Sequence, residues 1–334
     1  MRISILGSGG WGTALSVLSD SCGHTTVLWG AFADEIAAIE KNRVNPLLAG
    51  IAIPKTVRLT ADLCQLHDSA IYIIATPSFA VRETAGKLRA HIAPQAVVVS
   101  VAKGFEKGSL KRFSQVIAEE LPEHPVVILS GPSHAEEVGR QLPTSVVAAS
   151  VNLAAAQLVQ NALSNENFRI YTNDDVAGVE IGAALKNIIA MAAGVCDGMG
   201  LGDNTIAALI TRGINEIAAL GVQMGARRDT FAGLSGIGDL IVTCTSRHSR
   251  NRRFGKALGS GVPVQQALES VGMTVESYYA TACAKKLTDQ YQVEMPIVEE
   301  CYNMLYCGGD AKASIKKLMN RSKKSEMAHN WEVQ

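Results

Sequence analysis

Lys186 interrupts an apolar stretch, between Gly182-Ala183-Ala184-Leu185 and Ile188-Ile189-Ala190. A lysine inside such a helix is costly unless it points into a polar cleft. There, desolvation and a neighbouring cation lower its pKa toward the working range, and it can pass a proton to or from a substrate oxygen. Asn187 adds a hydrogen-bonding amide beside it. Asp239 lies in a second apolar segment, Gly236-Ile237-Gly238-Asp239-Leu240. Its carboxylate can serve as a helix N-cap, or it can compensate Lys186 and bond a substrate hydroxyl. No acid occurs between Asp239 and Glu269, whereas Arg247, Arg250, Arg252, Arg253 and Lys256 all fall there. The arginine fork matches phosphate oxygens in bidentate fashion, so Ser249-Arg250-Asn251 is the candidate clamp for a small anion.

A different chemistry is written at the N-terminus. Gly7, Gly9 and Gly12 form G-x-G-x-x-G between an apolar run at 3–6 and a helical stretch at 13–21. The first glycine permits the tight turn, the second lets backbone approach a pyrophosphate, and the third lets helix and strand pack. The N–H groups at the helix start then bind phosphate. The next strand ends Leu28-Trp29-Gly30-Ala31, without the acid that holds a ribose 2′-OH, and Asp34 and Glu35 come too late. The missing acid favours NADP(H) and leaves NAD(H) open. No Arg stands at the strand end, and Arg43 is the candidate to reach it.

These groups need a scaffold. Apolar runs at 3–6, 25–29, 70–75, 97–101, 126–129 and 145–149 alternate with helical periodicity, the pattern of parallel strands buried on both faces. That is a doubly wound α/β sheet, whose ligands lie beyond the carboxyl ends of the strands. Lys103 follows the fourth run, and Gly131-Pro132-Ser133 follows the fifth. His134 is read as structural or solvent-facing rather than as an acid or base. From about 174 the strands vanish, and 176–195 and 205–224 read as buried helices. The expectation is an α/β Rossmann-like N-terminal domain over 1–173, an all-α C-terminal domain over 174–328, a cleft between them, and a polar tail over the last ten residues.

Composition narrows the function. Basic and acidic residues number 31 each and hydrophobic residues make up 47%, so the chain is globular and has no global field for nucleic acid or an anionic membrane. The longest uncharged run, 141–165, is too polar for a membrane span. The N-terminus lacks signal-peptide features. Seven cysteines without C-x-x-C or zinc spacing point to free thiols, small buried hydrophobes in a reducing cytosol, and to no metal.

Together the blocks VAKGFE (101–106), SGPSHAEE (130–137), GAALKNIIAMAAGVCDG (182–198), GLSGIGDLIVTCTS (233–246) and SRNRRFG (249–255) resemble NAD(P)-dependent glycerol-3-phosphate dehydrogenase of the soluble bacterial type. The likeness runs from GSGGWG at 7–12 to MPIVEECYNMLYCG at 295–308. It implies a cytoplasmic enzyme, commonly a homodimer. The reaction would be reversible reduction of dihydroxyacetone phosphate by NAD(P)H to sn-glycerol 3-phosphate, feeding phospholipid synthesis. The family's proton acceptor maps to Lys186, with Lys103 and Asp239 as its catalytic neighbours. Its substrate contacts map to Lys103, Gly131, Ser133, Lys186, Asp239, Ser249, Arg250 and Asn251. Its cofactor contacts map to Gly7, Gly9, Gly10, Trp11 and Gly12, and to Lys103, Ala135, Arg250, Thr274 and Glu276. Two departures stand out: Ala31, where many members carry a basic residue or His, and Asn45-Pro46-Leu47-Leu48-Ala49-Gly50 in place of a YLPG-like segment. One rival is a related dehydrogenase of carboxylate substrates, distinguished by its indifference to phosphate. Another is a dinucleotide sensor without turnover.

Overall fold

The computed structural model describes residues 1–323, 325 and 326. The tail expected at 325–334 falls mostly outside them, as does the domain end expected at 328. Among the described residues, eight strands form one sheet. They are β1 (Arg2–Leu6), β2 (Thr25–Trp29), β3 (Arg58–Thr60), β4 (Ile71–Ile74), β5 (Val97–Ser100), β6 (Val126–Ser130), β7 (Thr144–Ala149) and β8 (Phe168–Asn173). The order is β3-β2-β1-β4-β5-β6-β7-β8. It reverses direction between β1 and β4, which opens a crevice at their carboxyl ends. Helices α1 (Gly10–Ser21), α2 (Ala33–Asn42), α3 (Val81–Leu88), α4 (Phe113–Glu120), α5 (Ala135–Gly139) and α6 (Leu153–Leu163) accompany the strands. Two apolar clusters, one built on Ile3, Ile5, Ile71, Ile73 and Val99, the other on Leu6, Tyr72, Ile74 and Val98, fill the two faces of the sheet. Alternate residues of one strand serve opposite faces, which is why the runs read as continuously apolar.

The Rossmann-like reading holds, with three local corrections. β7 runs antiparallel to β6, with Ile128 opposite Ala149, so the sixth apolar run is not another parallel strand. β3 and β8 lie at the sheet edges and were not expected. β3 has only three residues, and in β8 Arg169 and Tyr171 face outward between buried Phe168 and Ile170. Cys64 and Cys307 are exposed, not buried, although all seven cysteines are free.

Beyond Asn173 every regular element among the described residues is helical, the α-helices being α7 (Val176–Gly198), α8 (Asp203–Gln223), α9 (Asp239–Thr245), α10 (Arg250–Gly259), α11 (Val264–Val271), α12 (Glu276–Tyr291), α13 (Pro296–Tyr306) and α14 (Ala311–Met319). α7 is the axis of this half, and every residue from Gly178 to Cys196 is buried. Asp175 caps it, accepting from Gly178 N at 2.9 Å, while its other oxygen accepts from Arg227 N at 2.8 Å and Thr230 Oγ1 at 2.6 Å. Glu180 ties α7 to the sheet half, accepting from Arg112 Nη1 at 2.6 Å and Ser114 N at 2.8 Å. α7 and α8 are long and apolar enough to cross a membrane by length and composition alone; the apolar window of α7 is entirely buried in the protein and that of α8 is 39% buried.

Glycines bring α10 against α7. A Cβ on Gly255 would lie 1.9 Å from Met191 O, and one on Gly194 would lie 2.1 Å from Arg252 O. No side chain fits between the two backbones. The start of α10 is thereby held beside the middle of α7, where Lys186 and Asn187 sit.

Candidate active site

The glycine loop fits a dinucleotide. Gly7 has φ +123°, open to glycine and strained for other residues, and its missing Cβ would lie 2.6 Å from Ala75 O at the end of β4. A Cβ on Gly12 would lie 1.9 Å from Gly7 O, whereas one on Gly9 would meet nothing within 4 Å. The first and third glycines therefore close the turn, and the second faces open space. α1 begins at Gly10 with no side chain capping its first N–H groups, which are free for phosphate. Trp11 is half-buried and packs against the sheet core. The departure at 45–50 forms a short turn over this loop. Asn45 Nδ2 donates to Ser8 O and to Thr13 Oγ1, both at 2.7 Å, while its Oδ1 accepts from Leu47 N at 2.9 Å.

Arg43 does not serve as a cation for the ribose. Its guanidinium pairs with Glu40 and donates to Val57 O at 2.8 Å and Pro54 O at 3.3 Å. The end of β2 thus presents Gly30, Ala31 and an exposed Phe32, with neither an acid nor a free arginine among these residues.

Lys103, Asp239 and Lys186 meet at the carboxyl end of the sheet. Lys103 Nζ donates to Asp239 Oδ2 at 2.7 Å and to Gly131 O at 3.2 Å. Lys186 Nζ donates to Asp239 Oδ1 and, at 2.6 Å, to Thr243 Oγ1. The Thr243 hydroxyl gives its own hydrogen to Asp239 O at 2.6 Å, so a lone pair is left for Lys186. Asp239 is the first residue of α9, and the glycine-rich turn 234–238 passes close to Gly182 of α7, which aims the carboxylate at Lys186. One carboxylate thus bridges two ammonium groups from opposite halves of the molecule.

Lys186 is 5% exposed. Burial pulls its pKa down, Asp239 opposes this, Lys103 adds to it, and the result is about 7. Burial alone would push Asp239 up, but the two ammonium groups outweigh it and hold the carboxyl below its ordinary range. An acid–base group near neutrality beside a fixed anion is the arrangement expected of proton transfer to a small substrate.

The remaining expected residues border this centre. Ser133 Oγ donates to Gly131 O at 3.0 Å, so that carbonyl accepts from both Ser133 and Lys103. His134 caps the turn into α5, its ring 6.0 Å from that of His248, and its buried Nε2 has no protein partner among the described residues. Ala135, the first residue of α5, is half-buried. Ser249 is the N-cap of α10, its side chain accepting from Arg252 N at 3.2 Å. Asn251 Oδ1 accepts from Ser277 N and its Nδ2 donates to Asn187 Oδ1, each at 2.9 Å. That commits the Asn187 oxygen and leaves its amide hydrogens available. The basic run divides: Arg252 and Lys256 pair with Asp197 at 3.0 and 3.2 Å, whereas the side chains of Arg247, Arg250 and Arg253 have no ion pair or hydrogen bond among the described residues, and of these three only Arg250 is half-buried, the other two being exposed. Thr274 is half-buried just before α12, and Glu276 opens that helix with its carboxylate on Ser78. Thr243 and Ser78 were not singled out from sequence, and Asn45 only as part of the 45–50 departure; each is a common polar residue whose partner is revealed only by folding. No group of three or more His, Cys, Asp or Glu among the described residues could hold a metal.

Comparison with known proteins places the chain in a family. Residues 2–156 match the model for the NAD-dependent glycerol-3-phosphate dehydrogenase N-terminus, and 175–316 match that for its C-terminus. The chain is 53% identical over 327 residues to a glycerol-3-phosphate dehydrogenase [NAD(P)+] of Desulfitobacterium hafniense, covering 98% of this chain and 93% of the relative. It is 48% identical to the protein of that name from a Thermoanaerobacter species, over 98% of this chain and 99% of the relative. The crystal structure of glycerol-3-phosphate dehydrogenase from Coxiella burnetii superposes with a TM-score of 0.92 at 37% identity, over 96% of this chain and 99% of that one. Family models over both halves and relatives across nearly the full length lead to one conclusion: the chain belongs to the NAD-dependent glycerol-3-phosphate dehydrogenase family.

Proposed function

We propose that the chain interconverts dihydroxyacetone phosphate and sn-glycerol 3-phosphate with NAD(P)H and NAD(P)+, with Lys186 as the proton-transferring group. The observation that carries this reading is the Lys103–Asp239–Lys186 array, in which Asp239 and Lys186 are buried, together with an Arg250 free of ion pairs among the described residues at the start of α10. The nicotinamide, when bound, supplies the hydride in reduction and takes it in oxidation. Lys186 Nζ gives its proton to the developing alkoxide, or takes it in the reverse direction. With a pKa of about 7, both forms of Lys186 are populated near neutrality. Asp239 holds Lys186 in place, and Lys103 orients the reacting oxygen and keeps the Lys186 pKa low. Arg250, Asn251 and Asn187 bind the phosphate, with Gly131, Ser133 and Ser249 completing the pocket. Binding energy at that remote phosphate positions the small reacting end.

Residues 1–173 carry the dinucleotide through Gly7, Gly9, Gly10, Trp11, Gly12 and Ala135, and 174–328 bring Lys186, Asp239, Arg250, Thr274 and Glu276 over it. The absence of an acid after β2 supports NADP(H) use; the engagement of Arg43 argues against a strong preference. The enzyme works in the cytoplasm as a homodimer and feeds phospholipid synthesis, as the family resemblance implies. The test is NADPH and NADH oxidation with dihydroxyacetone phosphate beside unphosphorylated dihydroxyacetone. Turnover confined to the phosphorylated ketone is expected, and equal turnover of both would reject the phosphate clamp.

A further inference from the structure

Ser78 and Glu276 stand 198 residues apart in the chain and belong to different halves of the molecule. Ser78 follows β4 in Thr76-Pro77-Ser78, and Glu276 is the first residue of α12. The Ser78 hydroxyl lies 3.1 Å from each oxygen of the Glu276 carboxylate, to which it donates. Gly104, next to Lys103, lies beneath the contact: a Cβ there would be 3.9 Å from both Glu276 Oε2 and Ser78 Cβ. The residue has φ +148°, which favours glycine, and leaves the carboxylate room to reach across. Burial pushes the Glu276 carboxyl up while the charge of Arg250 acts against it. One contact therefore gathers the ends of β4 and β5, the start of α12 and the start of α10, where the two halves of the molecule meet.

A hydrogen bond between the two halves at that point must break whenever the halves part. We propose that Ser78–Glu276 is a clasp that holds the cleft closed over the dinucleotide, which makes Ser78 a positioning residue for cofactor retention. This rests on the dehydrogenase reading for the nature of the cofactor. The competing account is that Glu276 acts on the cofactor by itself and Ser78 is incidental.

The test measures NADPH and NADH affinity by nicotinamide fluorescence and their dissociation rate by stopped flow. The variants are Ser78→Ala, Ser78→Thr, Glu276→Gln and the Ser78→Ala/Glu276→Gln double. Ser78→Ala is expected to raise the dissociation rate and Kd about tenfold, the scale of one hydrogen bond to a charged group. Ser78→Thr restores wild-type retention, and the double variant is no worse than the weaker-binding single, because both break one contact. In the enzyme without cofactor, Ser78→Ala speeds hydrogen exchange at 76–80 and in the first turn of α12. Unchanged dissociation in Ser78→Ala, or strictly additive effects in the double variant, overturns the clasp. Failure of the wild type to bind either nucleotide would overturn the dehydrogenase reading instead, and the exchange arm would then decide the clasp alone.

Discussion

Replacing Lys103 by Met removes a positive charge that faces Lys186 across one carboxylate. Lys103 Nζ is 2.7 Å from Asp239 Oδ2, and Lys186 bonds the other oxygen of the same group. Two ammonium groups sharing one carboxylate, at a separation of about 4–5 Å, repel by about 3–4 kcal/mol at an effective dielectric constant near 20. This equals about 2–3 pKa units, and water entering the vacated space reduces it, so a rise of about 1–2 units for Lys186 is expected. The sign follows from its role. Reduction needs Lys186 protonated, so kcat/KM for the ketone falls as pH rises through its pKa, which is about 7 in the wild type. Oxidation needs it neutral, so kcat/KM for the alcohol rises through the same point. The assay is nicotinamide absorbance at saturating cofactor, across the neutral range and in both directions. Lys103→Met should carry both inflections to higher pH, although total activity drops because Lys103 is also a proposed substrate contact. Lys103→Arg keeps the charge and should leave them in place. An unmoved or acid-shifted inflection in Lys103→Met would refute the electrostatic coupling.

Arg250→Ala should raise KM for dihydroxyacetone phosphate far more than it changes kcat, since its proposed role is at the remote phosphate; an unchanged KM would reject the clamp. Gly255→Ala forces a Cβ to within 1.9 Å of Met191 O. It should cost about 1–3 kcal/mol in urea unfolding and also weaken substrate binding, because the start of α10 is displaced; a variant of wild-type stability would mean that α7 and α10 can part freely.

How much of this was legible beforehand depends on how local the signal is. Lys186 and Asp239 were visible because each breaks an apolar segment, and the glycine loop because its spacing encodes a turn. Their meeting was not: Asp239 reads equally well as a helix cap, and only the close pass of the 234–238 turn by Gly182 aims it at Lys186. The direction of β7 was unreadable because a strand buried on both faces carries the same apolar composition whichever way it runs. β8 was missed because its outward Arg169 and Tyr171 dilute the apolar run, as suits a sheet edge. In the basic run, Arg250 was the candidate from sequence, but charge alone did not separate the five cations. Asp197, contributed by α7, takes Arg252 and Lys256 out of contention, and of the three left without ion pairs among the described residues Arg247 and Arg253 are exposed while Arg250 is half-buried. Ser78 carried no local mark and Asn45 was marked only as part of an unusual segment, since their partners lie in other elements of the fold.

The central claim is that Lys186 transfers the proton in a site otherwise able to bind both ligands. The direct measurement is kcat of Lys186→Ala with dihydroxyacetone phosphate, beside its Kd for NADPH. The account predicts kcat lowered about 100-fold or more, the scale of general acid–base catalysis, with cofactor affinity unchanged. A variant that turns over at close to the wild-type rate would contradict it.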